Sequence, residues 1–188
     1  MKGVGMKVKV NFFLFSVVVM SIISSCVADI DFTQFDEVAA TPTYEAGILY
    51  LEAPEDVINL VSGTSVFSQN FNFNAFSSDV FASRVIDGTI TYVVENTTSK
   101  ELEITVDFLD EAGTLLDTEV FSIDPQPTAI VQREIAYGAS GRSIEIIKSL
   151  STIRVIAENL GDNSSTSSLE NPLITLQSSG KFRVELIK

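Results

Sequence analysis

Alternation of apolar and polar residues between positions 88 and 135 constrains the fold more than any other feature of the chain. From Leu102 to Phe108 every second residue is large and apolar, and the residues between them are Glu, Thr or Asp. Turn-forming stretches at 96–100 and 110–113 separate the alternating runs. A period of two places successive side chains on opposite faces of a strand, and short strands about 10 residues apart are typical of a sandwich. We therefore predict a mainly β fold, an antiparallel β-sandwich.

Further strands are predicted on both sides of this block. Residues 45–54 alternate and end at a proline, which cannot donate to a ladder. Residues 152–160 form another run, and residues 65–73 indicate a strand with a turn or bulge at 68–70. Residues 173–186 are predicted to form a hairpin turning at Ser178-Ser179-Gly180, because glycine readily supplies a positive φ. Between 115 and 123, two sets of residues compete for the core side, and the pattern leaves the choice open.

One or two short helices are predicted where the apolar spacing changes. The first lies within 77–84 and begins behind small polar residues, which can satisfy the free N–H groups of a first turn. The second spans about 142–150, with Ser140 or Ser143 as its N-cap. Residues 56–60 fit neither pattern. The residues expected on the buried side of the first helix are Phe76, Val80 and Phe81.

Residues 1–25 have the three parts of a secretory signal peptide. The basic first part contains Lys2, Lys7 and Lys9 and no acidic residue. An apolar run follows at 12–23, and small residues come after it. This run has about 12 residues, whereas a helix that spans a bilayer needs about 20. We therefore predict a cleaved signal rather than a permanent membrane helix.

Cys26 is the only cysteine, and it directly follows the small residues. Ile23-Ser24-Ser25-Cys26 resembles the lipobox of bacterial lipoproteins, although this family most often has Leu at −3 and Gly or Ala at −1. The resemblance implies cleavage between Ser25 and Cys26, a diacylglyceryl group on the sulfur and a further acyl chain such as palmitate on the amine. Two or more acyl chains anchor a protein stably. The implied location is the cell envelope, as an outer-membrane lipoprotein of a Gram-negative bacterium facing either the periplasm or the surface.

The domain organisation follows from these boundaries. Residues 26–43 are predicted to be an acidic tether, and residues 44–188 the β-sandwich domain. Acidic residues shortly after a lipidated cysteine resemble an export signal to the outer face of the outer membrane; a solvated spacer is the alternative. Residues 26–188 carry nine basic and 25 acidic side chains, a net charge of −16. Such a surface should repel nucleic acid, so no nucleic-acid partner is expected.

Turn chemistry in the central block carries a second resemblance. The block resembles the FxLxYD and late-embryogenesis-type-2-like sandwiches, which occur in many bacterial exported proteins. It shares with them a V-x-N-x-T pattern, an F-x-D-x-x-G pattern and an Asp-Pro pair. The resemblance covers about a quarter of the chain and implies an immunoglobulin-like β-sandwich. It indicates a fold and says almost nothing of function. The matching residues are Val94, Asn96, Thr98, Phe108, Asp110, Gly113, Asp124 and Pro125.

The residue inventory excludes several kinds of catalytic site. The chain has no histidine and no cysteine other than Cys26, which rules out Ser–His, Cys–His and His–metal sites. A glycosidase would need paired carboxylates flanked by sugar-stacking aromatics, but the chain has no tryptophan and only four tyrosines. The stretch 138–141 is too short for a phosphate loop and lacks its lysine. We therefore expect no enzymatic activity and no cofactor.

One acidic group around the turn at Gly113 is a weak calcium candidate. Carboxylates are the ligands that Ca²⁺ prefers, but the spacing lacks the alternating ligands of a dedicated loop. Two of the four acids are expected to be solvent-facing strand residues, which favours ordinary turn chemistry. The four residues are Asp107, Asp110, Glu111 and Asp117.

Two functions remain open. The first is a lipid-anchored, non-catalytic structural or protein-interaction module, with an envelope protein as its partner and exposed sheet edges as contacts. The alternative is a ligand-binding lipoprotein that captures a glycan, lipid or peptide for an outer-membrane importer. Glycan binding would require exposed aromatic side chains near Tyr44, Tyr137 or residues 70–76.

Overall fold

The computed structural model of the protein describes residues 40–61, 65–73, 75–76, 78–125 and 129–186. Eight strands in these residues form two four-stranded antiparallel sheets, which confirms the predicted β-sandwich. Period-two patterning dictates this arrangement, because each sheet needs a second apolar face against which to bury its own. The strands are β1 Thr43–Pro54, β2 Ser65–Asn72, β3 Val85–Asn96, β4 Leu102–Leu109, β5 Leu115–Ile123, β6 Ala129–Tyr137, β7 Thr152–Asn159 and β8 Leu173–Val184.

The two sheets have the strand orders β1-β8-β3-β6, called sheet A, and β2-β7-β4-β5, called sheet B. The apolar row of β4 is buried as predicted, and it meets alternate residues of β3 and β8 from sheet A. On β5 the structure resolves the open choice, because Phe121 and Ile123 are buried and face inward. Asp117 and Glu119 share that inward face of β5, since they are separated from Phe121 by even numbers of residues.

The predicted C-terminal hairpin is wrong. Residues 173–184 form the single strand β8, which pairs with β1 on one side and β3 on the other. Gly180 lies within this strand, opposite Ala46 and Ile90. A Cβ atom there would lie 2.6 Å from the Phe182 ring and 3.0 Å from Ile48 Cδ1. Glycine therefore serves close packing at this position and not a turn.

Three short helices accompany the sheets, where one or two were predicted: α1 Glu55–Leu60, α2 Asp79–Ala82 and α3 Ile144–Ser149. Helix α1 occupies the segment that fitted neither pattern. The predicted helix at 142–150 is confirmed by α3, whose N-cap Ser143 accepts a hydrogen bond from the Glu145 N–H. Near α2, Phe76 and Phe81 pack against Phe182 as an aromatic cluster. The burial predicted for Val80 is wrong, since 71% of that residue is exposed.

Both ends of the described chain meet beside sheet A. The Ala40 carbonyl accepts a hydrogen bond from the Leu186 N–H at 2.8 Å, and the Pro42 carbonyl accepts one from the Val184 N–H at 3.0 Å. Residues 40–42, predicted as part of the tether, thus contact the end of β8. The register of β2 shifts between Ser65 and Phe67, earlier than the predicted bulge at 68–70. Within the described ranges, no helix has the length and apolar character to cross a membrane.

Candidate functional site

The predicted lipidation site lies outside the described residues. This applies to Ser25 and Cys26 and to the whole predicted signal peptide. Lipidation therefore stays a prediction from the sequence.

The four acids of the calcium candidate are not brought together. Asp107 and Asp117 point to opposite faces of sheet B, because Asp107 pairs in register with Thr118 and Asp117 with Phe108. Asp107 is 6% exposed, contrary to the expected solvent-facing position. Its two carboxylate oxygens accept hydrogen bonds from Thr118 Oγ1 at 2.7 Å and from Arg154 at 2.6 and 3.0 Å.

The other two acids lie in the exposed turn after β4. Asp110 Oδ1 accepts a hydrogen bond from the Thr114 N–H at 2.7 Å, and Gly113 has a φ of +81°, as this turn requires. Glu111 is exposed. Across the residues the structure describes, no three acidic side chains are grouped as a metal site would need.

Two carboxylates point into the sandwich where the free strand β5 lies beside β6. We call Asp117, Glu119, Arg133 and Arg142 the ionic edge cluster. Arg142 Nη1 lies 2.7 Å from Asp117 Oδ2, and its Nη2 lies 2.5 Å from Glu119 Oε1 in an ion pair without hydrogen-bond geometry. Arg133 Nη1 lies 2.6 Å from the other Glu119 oxygen. Two cations thus neutralise two inward-facing carboxylates and close this side of the sandwich.

Two buried tyrosines border the ionic edge cluster. Tyr137 donates a hydrogen bond to Asp117 Oδ2 at 2.9 Å. Burial, followed by the nearby negative charges, raises the pKa of both Tyr92 and Tyr137 above the usual value, so both stay neutral near pH 7. Burial opposes the charge of Arg142, but its contacts with Asp117 and Glu119 outweigh this and raise its pKa. Tyr92, Tyr137 and Arg142 therefore keep fixed protonation states at neutral pH, which suits a structural role rather than acid–base catalysis.

A second polar cluster lies at the end of the sandwich where the 96–101 and 159–172 loops meet. Lys100 is fully buried, and its Nζ lies 3.1 Å from Asp162 Oδ1, 2.7 Å from the Ser165 carbonyl and 2.8 Å from Ser165 Oγ. An ammonium group has three donors, so this charge is fully satisfied. Hydrogen bonds from the Ser165 and Ser164 N–H groups, and then from Lys100, hold the pKa of Asp162 well below its usual range.

Asn96 ties the turn before β4 to the end of β5. Its Nδ2 donates to the carbonyls of Lys100 at 2.7 Å and Asp124 at 2.9 Å. Its Oδ1 accepts from the N–H and the hydroxyl of Thr98, at 2.9 and 2.7 Å. All of these contacts lie within the fold, so this residue of the immunoglobulin-like pattern holds a turn in place.

Glu55 connects α1 to the same two loops. Its carboxylate accepts from the N–H and hydroxyl of Ser99, at 2.7 and 2.5 Å, and from the Ser167 N–H at 2.8 Å. Burial alone would raise its pKa, but these hydrogen bonds outweigh burial, and the pKa of Glu55 is lowered. Nothing in the sequence pattern marked Glu55 or Lys100 as buried, because their partners lie more than 40 residues away along the chain.

An apolar cleft opens on the other side of the sandwich, between the edge strands β1 and β2. Its volume is about 60 Å³. The cleft is lined by side chains of both sheets, among them Leu51, Ala53, Phe67, Ile104, Ala157 and Leu176.

The aromatic residues considered for glycan binding do not form one surface. Tyr44 is 52% exposed on β1, whereas Tyr137 is buried in contact with the ionic edge cluster. Phe73 and Phe76 pack edge to face with ring centroids 4.8 Å apart, and Phe76 also stacks on Phe81. Of these side chains, only Tyr44 offers a ring that is mostly open to solvent.

No protein-family model and no curated protein sequence matches the chain. Solved structures do match by shape. The VP2 subviral particle of infectious bursal disease virus has a TM-score of 0.40 and 12% identity, over 77% of this chain and 33% of VP2. A Bacillus endospore appendage, described as a disulfide-linked pilus, has a TM-score of 0.34 and 10% identity, over 84% of this chain and 95% of that one.

A structure of turnip yellow mosaic virus is a further match, with a TM-score of 0.32 and 9% identity over 80% of this chain and 83% of the viral one. This chain spans about a third of the length of the VP2 chains that it matches. At such identities and scores, these likenesses concern the general shape of a β-sandwich. They do not indicate a function for this protein.

Proposed function

We propose that the protein is a lipid-anchored lipoprotein of the cell envelope, and that its β-sandwich acts as a non-catalytic structural or protein-interaction module. The resemblance of Ile23–Cys26 to a lipobox supports the anchor. One observation carries the non-catalytic part of the proposal: the buried ionisable groups that catalysis could use are already engaged within the fold. These groups are Glu55, Lys100, Asp107, Asp117 and Glu119.

Fixed, paired charges stabilise one geometry, so none of these five groups stands as a lone base or nucleophile among the described residues. The Asp107 carboxylate has both oxygens in hydrogen bonds, and the three donors of Lys100 are all used. The free edges of two sheets, in contrast, offer backbone N–H and C=O groups to a partner. The described part of the molecule therefore suits binding through its edges better than chemistry in its interior.

The anchor is tested by metabolic labelling with a radioactive fatty acid. Labelling is expected for the wild type and lost in Cys26→Ala, because only the thiol can carry the diacylglyceryl group. Ser25→Ala is the matched control, since alanine keeps a small residue at that position and labelling should persist. Undiminished labelling of Cys26→Ala would contradict the lipoprotein proposal.

The interaction module is tested by purification through a tag placed after Lys188, from membranes dissolved in detergent, followed by mass spectrometry. We expect a stoichiometric envelope protein to co-purify. A monomer that carries a bound small molecule would instead support the ligand-binding alternative. Recovery of the bait alone would count against the interaction function.

A further inference from the structure

The two sides of the sandwich differ in how their edge strands are protected. On one side, Asp117, Glu119 and Arg133 point inward from β5 and β6 as part of the ionic edge cluster. Charges that point inward at a sheet edge discourage pairing with another chain. On the other side, β2 has no charged residue between Ser65 and Asn72. Within the described residues, β2 pairs only with β7, so its outer backbone edge is free.

The apolar cleft lies on this unprotected side. A cleft of about 60 Å³ exceeds the 10–15 Å³ that one water needs, and it is smaller than the cavity of about 150 Å³ that holds benzene. It can therefore take an aliphatic side chain, but neither a sugar ring nor a long acyl chain. Phe67 of β2 and Ala157 of β7, which face each other in register, form its sheet B wall.

An acidic side chain lies near the cleft on sheet B. Glu158 follows Ala157 on β7, so it faces outward from sheet B beside the start of β2. Glu158 forms no ion pair with the described residues. With a net charge of −16 over residues 26–188, the surface favours a cationic partner and disfavours a second copy of the same chain.

We infer that β2 binds an extended, basic segment of a partner polypeptide as an additional strand. One aliphatic side chain of that segment enters the cleft, and a basic side chain at a neighbouring position faces Glu158. Alternation along a strand supplies this pattern, because side chains on either side of an inward residue point outward. The inference rests on the proposed interaction function and names the edge and the chemistry of its partner.

A synthetic peptide of alternating lysine and valine tests the inference, with fluorescence anisotropy as the readout and the full-length protein in detergent. The matched control peptide alternates glutamate and valine. Saturable binding is expected for the lysine peptide, with weaker binding as salt rises, and none for the glutamate peptide. Failure of the lysine peptide to bind, or equal binding of both peptides, would overturn the inference.

Ala157→Leu fills the cleft and is expected to weaken binding of the lysine peptide at least about tenfold, because the cleft no longer has room for the aliphatic side chain of the peptide. Ala112→Leu makes the same change in the exposed turn after β4 and should leave binding unchanged. If no partner side chain enters the cleft, the two variants should bind the lysine peptide with equal affinity, which would contradict the inference. Thermal melting of each variant reports whether the larger side chain is accommodated.

A charge variant keeps the test independent of core packing. Glu158→Gln is expected to weaken binding of the lysine peptide by about two- to fivefold, the usual contribution of one exposed ion pair. Glu111→Gln removes the same charge at a distant exposed site and serves as the control. Equal affinities of the two variants would contradict the role of Glu158.

Purification of Ala157→Leu from membranes separates this inference from the proposed function. A partner that co-purifies equally with this variant and the wild type would refute the cleft as its binding site, while the interaction function would stand. Loss of the partner in Ala157→Leu but not in Ala112→Leu is the expected result. A small apolar molecule in the cleft, detected by native mass spectrometry, would refute both.

Discussion

Replacing Asn96 by alanine should be among the most destabilising single changes in the chain. The side chain is fully buried and makes four hydrogen bonds, to the carbonyls of Lys100 and Asp124 and from two groups of Thr98. A hydrogen bond contributes about 1 kcal/mol net, and a buried partner left unsatisfied costs about 1–3 kcal/mol. We therefore expect a loss of about 3–5 kcal/mol, a large part of the 5–15 kcal/mol that stabilises a typical domain.

Equilibrium unfolding in urea measures this loss from the shift of the midpoint at constant slope. Asn70→Ala is the matched control, since Asn70 lies exposed on β2 and its change should stay within about 0.5 kcal/mol. Thr98→Val removes only the hydroxyl from the network, so it should fall between the two. If the free energies of unfolding of Asn96→Ala and Asn70→Ala differ by less than about 1 kcal/mol, the turn does not depend on this network and the reasoning fails.

Two further predictions concern charges. Arg142→Met leaves Asp117 without its cation and Glu119 with Arg133 alone. Because the Arg142 side chain is 38% exposed, we expect a loss of at most about 3 kcal/mol in urea unfolding. Arg84→Met makes the same change at an exposed arginine and should cost less than about 0.5 kcal/mol. The lowered pKa of Asp162 stabilises the fold above the pKa of the unfolded chain, about 3.9, and this contribution is lost as the pH falls below about 4. Asp162→Asn should therefore flatten the acid decline of the urea midpoint, and an unchanged decline would contradict the assignment.

The fold follows from the sequence where local patterning and tertiary burial agree. In β4, Leu102, Ile104, Val106 and Phe108 repeat with period two and are all buried, so the strand and its core face were predictable. The helix at 144–149 was also predictable from its apolar spacing, whereas the choice between Ser140 and Ser143 as its N-cap is settled only by the structure, in favour of Ser143.

Prediction failed where a residue's role depends on neighbours distant in sequence. Gly180 follows two serines and has the composition of a turn, but it lies in a strand, where Ile48 and Phe182 crowd its α-carbon. On β5, Asp117 was expected to face solvent. It points inward together with Glu119, because arginines 14 to 25 residues further along the chain neutralise both carboxylates. The cleft beside β2 is lined by residues of both sheets, so no single stretch of the sequence could predict it.

The position of β8 sets a limit on when this protein can fold. β8 comes last among the strands, yet it lies between β1 and β3, and Thr43 of β1 pairs with Arg183. Without β8, sheet A would be reduced to β3 and β6, and β1 would have no neighbouring strand in the described chain. Pairings between such distant residues form slowly. While the chain is still being synthesised, the strand that joins β1 to the rest of sheet A is missing, and sheet A can be completed only once residues 173–184 have been made.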